Sequence, residues 1–84
     1  MMLNKKLQRL QQILKTKDSF YEFKAGETGH ALLIFDTLSK KSNWIYYNKG
    51  EFKIYSNIAD MQKFIFSTVN GMADFILHNG IYGT

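Results

Sequence analysis

The sequence predicts an α+β fold: an N-terminal helix, a four-stranded antiparallel meander and a long C-terminal helix, packed as a two-layer sandwich. Three observations carry this. Apolar residues recur at three- and four-residue spacing at both ends of the chain, the period changes to two between them, and short turn signals separate the period-two runs. With 84 residues the chain is read as one domain spanning 1–84, of a size that buries roughly 60 to 65% of its unfolded surface in a single small core. The thirteen aromatic side chains help to fill it.

The first segment, Leu3 to Thr16, places Leu3, Leu7, Leu10 and Leu14 on one stripe with Ile13 beside it, and Gln8, Gln11 and Gln12 opposite. This is an amphipathic helix. Its polar side is basic: residues 1 to 17 contain Lys5, Lys6, Arg9, Lys15 and Lys17 and no acid. From Asp18 onward six lysines face seven acids, so the basic excess behind the net charge of +4 belongs to this segment alone. Such a stripe is either a solvated face or a contact for phosphate or an acidic surface.

The period-two region follows. Ser19 to Ala25 puts Tyr21, Phe23 and Ala25 on one face and Glu22 and Lys24 on the other. After a turn at Gly26-Glu27-Thr28-Gly29, His30 to Leu38 is the most apolar strand and is expected to be central. A polar loop, Ser39 to Asn43, leads to strands Asn43 to Asn48 and Glu51 to Ser56, joined through Asn48-Lys49-Gly50 in a hairpin. Antiparallel neighbours linked this way can keep one sheet face wet while helices cover the other.

The last segment, Asn57 to Gly80, reads as one long helix. Ile58, Met61, Ile65, Val69, Met72 and Ile76 form its stripe, Asn57 and Asp60 its N-terminal signals, and Asn79-Gly80 its end. Phe64, Phe66, Phe75 and Leu77 lie off the stripe, which implies cover on two sides. Gly71 is either a close-packing glycine or a break into two shorter helices.

Chemistry-bearing patterns are sparse. His30 and His78 have no second ligand at metal-like spacing; Asp74 and His78 form a DxxxH pair that reads as a surface carboxylate near a helix-end histidine. The serines lie in no nucleophile setting, and the Gly26–Gly29 turn joins strands where a phosphate loop would open a helix. No catalytic residue, cofactor or metal site is assigned, and an enzyme is not expected. Absence of cysteine, of an apolar leader and of an 18-residue apolar run leads to the expectation of a cytoplasmic protein.

Aromatics beside lysines are the stronger lead. Trp44, Tyr46, Tyr47 and Tyr55 crowd the third and fourth strands with Lys40, Lys41, Lys49 and Lys53. Alternation sends Trp44 and Tyr46 to one face and Ile45 and Tyr47 to the other. Such aromatics either finish a small core, with the Tyr hydroxyls reaching solvent, or form an exposed row that stacks on bases or anchors a protein interface.

In KFIFSTVNG, the residues Lys63-Phe64-Ile65 with Asn70-Gly71 are similar to a helical segment of a small phage-encoded anti-CRISPR protein acting on a type II effector nuclease. The order of short helix, antiparallel sheet and C-terminal helical segment also resembles that class. The resembled inhibitor is acidic and imitates DNA phosphates, whereas this chain is basic, so neither that mechanism nor its binding residues transfer. The resemblance implies a compact inhibitor that occupies a partner's surface without chemistry. The expected function is a non-enzymatic protein-binding module encoded by a phage or mobile element, with a host protein such as a CRISPR effector nuclease as partner. Trp44, Tyr46 and Tyr47 would be its anchors, and Lys5, Lys6 and Arg9 would steer it or contact the partner. The alternative is direct nucleic-acid binding through the basic helix. A homodimer through the apolar C-terminal helix is compatible with both, and no membrane partner is expected.

Overall fold

The computed structural model describes residues 2–56 and 62–82. Helix α1, Lys5–Lys17, leads into strands β1 (Tyr21–Ala25), β2 (Ala31–Asp36), β3 (Lys41–Asn48), β4 (Glu51–Tyr55) and β5 (Lys63–Phe66), and helix α2, Val69–Asn79, follows. The strands form one antiparallel sheet in the order β1-β2-β3-β4-β5. The class is therefore α+β with an antiparallel meander, as the periods require, but the meander has five strands and not four.

Helix α1 begins where Asn4 accepts the Lys6 N–H at 2.8 Å, an N-cap that satisfies one of the free donors of the first turn. Leu7, Leu10 and Leu14 are its buried residues, at i, i+3 and i+7, as the leucine stripe dictates. Between β3 and β4 the two-residue loop Lys49-Gly50 has φ of 50° and 81°. Positive φ at both positions is the geometry that matches the right-handed twist of the flanking strands.

The long helix expected from Asn57 to Gly80 is not formed. Lys63–Phe66 is a strand, and the helix starts at Val69 behind Thr68, whose side chain accepts the Gly71 N–H at 2.9 Å. The proposed cap Asn57, with Asp60 and the stripe residues Ile58 and Met61, lies outside the described residues. The physical reason for the strand is tertiary. Lys63-Phe64-Ile65-Phe66 puts both phenylalanines on one face of a strand, and β4 offers an edge on which Phe64 lies opposite Ile54 and Phe66 opposite Phe52. Both phenylalanines then meet Phe75 of α2, with ring centroids 4.7 and 5.0 Å away. A continuous helix would have put Phe64 and Phe66 on opposite sides and held each more than about 13 Å along the axis from Phe75. Ile65, placed on the core stripe of that helix, instead points away from the core and is 44% exposed.

The remainder of the stripe holds: Met72 and Ile76 are buried and Val69 packs against the core. Gly71 does not break the helix. A Cβ there would lie 2.9 Å from the Thr68 hydroxyl oxygen and 3.4 Å from a Phe66 ring atom, so it is a close-packing glycine of the first turn. The helix ends at Gly80, with φ 81°, as the Asn79-Gly80 signal implies.

The core is one cluster in which Leu7, Leu10 and Leu14 of α1, Met72, Ala73 and Ile76 of α2, and Leu32, Ile34, Ile45, Phe52 and Ile54 of the sheet meet. Both helices thus cover the same sheet face. Asn43 fastens the chain end to this arrangement: its side-chain N–H group donates to the Tyr55 carbonyl at 2.7 Å and to the Ile81 carbonyl at 2.8 Å. The Tyr82 hydroxyl donates to the Ser42 carbonyl beside it.

Candidate functional site: the open face of the sheet

With the helices on one face, the other face of the sheet has no cover among the described residues. The register fixes which side chains occupy it. In one row across the strands Lys24 lies opposite Leu33 and Leu33 opposite Trp44. One step beyond the Ile45–Ile54 pair, the same row continues to Tyr55, which lies opposite Lys63. In the adjacent row Ala31 lies opposite Tyr46, Tyr46 opposite Lys53, and Lys53 opposite Ile65. Phe35 stands beyond the first row, opposite Glu22.

Two central rows therefore hold an aromatic and aliphatic band with three lysines and no carboxylate. The acids of this face, Glu22 and Glu51, stand in the outer rows. Trp44 is 36% exposed and Tyr46 40% exposed, large fractions for such side chains in strands. Tyr46 meets Tyr55 edge-on, with ring centroids 6.1 Å apart and planes at 77°. This edge-to-face geometry suits the ring quadrupoles. A depression of about 290 Å³ opens beside Trp44 and Tyr46, bordered by Gly26, Glu27, Thr28 and Ala31.

The six residues singled out from sequence are not one site. Trp44 and Tyr46 stand on the open face, as alternation requires. Tyr47 points to the helix side, where its ring lies 4.7 Å from that of Phe52. There it borders a cleft of about 470 Å³ with Lys6 and Arg9 of α1, and with Thr68 and Asn70 at the start of α2. Lys5, exposed on α1, borders neither depression. The sheet separates two surfaces: an aromatic band with lysines, and a basic cleft between the helices and the β3–β4 hairpin.

Sequence reasoning left out Lys24, Leu33, Phe35, Lys63 and Ile65 as members of the aromatic band. Period-two alternation places Lys24 on the wet side of its strand, so that signal was present; Lys63 and Ile65 were hidden by their assignment to a helix.

The two histidines and the carboxylates are the remaining chemistry-bearing side chains. His78 is hydrogen-bonded through Nδ1 to the Asp74 carbonyl at 2.8 Å, so the DxxxH pair joins a ring to the backbone and not to a carboxylate. Among the described residues no group of three histidine, cysteine or acidic side chains is placed to hold a metal ion. No helix among them is long and apolar enough to cross a membrane.

Comparison of the chain with models of known protein families, with curated proteins and with solved structures gives no match.

Proposed function

We propose that this protein is a non-enzymatic binding module that works by covering part of a partner's surface with the open face of its sheet. The observation that carries the reading is the uncovered band containing Trp44 and Tyr46. Both rings lie outside the core cluster and keep more than a third of their surface open. Tryptophan and tyrosine are the side chains that dominate the energetics of protein interfaces, because a rigid ring buries a large area at small entropic cost. Tyr47 is withdrawn from the anchor set, since it packs on Phe52.

The resemblance to small anti-CRISPR proteins, which is left resting on element order because Lys63-Phe64-Ile65 is a strand here and not part of a helix, names the first partner to try: a defence nuclease of the host, met in the host cytoplasm by a protein of phage or mobile-element origin. Such a partner carries nucleic acid and is steered towards a chain of net charge +4. Capture of a purified type II effector nuclease by the immobilised protein tests it. Retention by the wild type, lost in a Trp44→Ala/Tyr46→Ala variant with an unchanged circular dichroism spectrum, is the expected result. Equal retention by the variant sinks the anchor assignment.

A second reading, nucleic-acid binding through the basic helix, is favoured by the cleft that brings Lys6 and Arg9 together beside Tyr47. It predicts an affinity that falls steeply with salt, as counterions are released in proportion to the phosphates neutralised. Pairing of two copies fits either reading. The surplus apolar surface expected on the C-terminal helix is taken up by the contacts of Phe64 and Phe66 with Phe75. Light scattering at micromolar concentration would report any dimer.

A further inference from the structure

We infer that the open face of the sheet is a stacking platform for unpaired nucleic acid, on which Trp44, Tyr46 and Tyr55 take the faces of bases and Lys53 and Lys63 meet the phosphates. The inference rests on the reading of this face as the working surface. It adds the chemistry of what the face meets.

Charge is the first argument. Protein interfaces are depleted of lysine at their centres, because an ammonium group is strongly hydrated and costly to cover. Here one lysine, Lys53, stands within the band on the interior strand β4, and another, Lys63, closes it on the edge strand β5. Lys53 lies directly between Tyr46 and Ile65, and Lys63 directly beside Tyr55, with no acid in either row. A partner that covers these rows has to bring negative charge at intervals while also bringing flat apolar surface. Single-stranded nucleic acid does both: phosphates recur along one edge and every base has a π-face.

Geometry is the second argument. Trp44 and Tyr46 are two residues apart on one strand, about 6.8 Å, and point the same way. Tyr55 stands on the next strand, with its ring centroid 6.1 Å from that of Tyr46. The three rings thus form a short path from β3 to β4, and the lysines lie further along the same rows on β4 and β5. Two of the three lysines of these rows, Lys53 and Lys63, stand on the β4–β5 side, and Glu27 borders the depression on the other side of Trp44. The phosphates therefore run on the β4–β5 side and the bases point back towards β2, beyond which Lys24 ends the first row on β1. A duplex keeps its base faces inside the stack and offers this surface only phosphates. The platform therefore selects unpaired strands.

Trp44 is the only tryptophan of the chain, which makes its emission a direct reporter of stacking. The experiment titrates the intact protein with twelve-nucleotide thymidine and uridine homopolymers and with a duplex of the same length. It follows Trp44 fluorescence together with the anisotropy of a labelled strand at low and near-physiological salt. The inference predicts quenching of Trp44 by the single strands and markedly weaker binding of the duplex. It also predicts a loss of about tenfold in affinity for Tyr46→Ala or Tyr55→Ala. Lys53→Glu with Lys63→Glu, a change confined to surface charge, is expected to abolish binding and leave circular dichroism unchanged. Lys15→Ala with Lys17→Ala, which removes the same charge from the far end of α1, is expected to leave it intact, and Lys6→Ala with Arg9→Ala separates this inference from binding through the basic helix.

Absence of quenching and of anisotropy change at low salt overturns the inference. So does binding that survives the sheet variants and disappears with Lys6 and Arg9, or a duplex bound as tightly as the single strands. If strands fail while capture of a protein partner still depends on Trp44 and Tyr46, the nucleic-acid inference falls and the binding-module reading stands.

Discussion

Asn43 shows how one side chain can hold three parts of a small fold. Its amide donates to the carbonyls of Tyr55 and Ile81, and its side-chain oxygen accepts the N–H of Trp44. Asn43→Ala leaves two partly buried carbonyls without their donor, and a loss of about 1 to 3 kcal/mol in urea denaturation is expected. Nothing in the sequence marks this role, because Ile81 is 38 positions away. Gly29 is comparable. Its φ is +79°, its carbonyl accepts the Asn4 N–H at 2.8 Å, and a Cβ on it would stand 2.4 Å from the Met2 carbonyl oxygen. The atom met is backbone and cannot rotate away. Gly29→Ala is therefore expected to cost more than the roughly 1 kcal/mol of an ordinary left-handed alanine, read as a fall in the denaturation midpoint. Tyr21 supplies a pH signature. Burial pushes its phenol above the ordinary value, and Asp18 and Asp36 push it further the same way. The folded chain then keeps a proton that the unfolded chain loses near pH 10, so stability is whole below about pH 10 and falls as pH rises towards the folded value. Denaturation at pH 9 and pH 11 should show a smaller alkaline loss for Tyr21→Phe than for the wild type. An equal loss would place the effect elsewhere.

At the scale of elements, α1 was legible because its stripe and its cover agree: the leucines at 7, 10 and 14 are the buried ones. The β3–β4 hairpin was legible from Lys49-Gly50. The stretch before α2 was not, and the reason is physical. Ile65, Val69, Met72 and Ile76 satisfy a helical period, while Phe64 and Phe66 satisfy a period of two, and a short apolar run serves both. Tertiary context decided. The edge of β4 is available, and the Phe64, Phe66 and Phe75 rings pack on one another only if the first two come from a strand. Thr68 then caps the short helix. Thr68→Ala should cost about 1 kcal/mol and loosen the first turn of α2, seen as faster hydrogen exchange at Gly71 and Met72. Unchanged exchange there would show that the cap hydroxyl contributes nothing. Phe75→Ala removes the ring on which both strand phenylalanines rest and is expected to cost about 3 kcal/mol.

For the whole molecule, the sheet separates two surfaces that the sequence presented as one set of candidates. Trp44 and Tyr46 look outward from one face, and Lys6, Arg9 and Tyr47 border a cleft on the other. Alternation alone told Trp44 from Tyr47. What it could not supply was the side on which the helices lie, since that depends on which apolar set is large enough to make a core. Leu32, Ile34, Ile45, Phe52 and Ile54 are that set, and the opposite rows are left without cover among the described residues. The central claim is that the outer aromatic residues serve binding and not folding. Thermal denaturation of Trp44→Thr/Tyr46→Thr tests it most directly, since threonine keeps strand propensity while removing both rings. The account predicts a cost limited to cross-strand contacts, about 1 kcal/mol in all, and so a melting temperature within about 8 °C of the wild type. A fall as deep as that of Ile54→Ala, whose buried side chain is expected to cost about 2 to 5 kcal/mol, would place the two rings in the structural core and contradict the account.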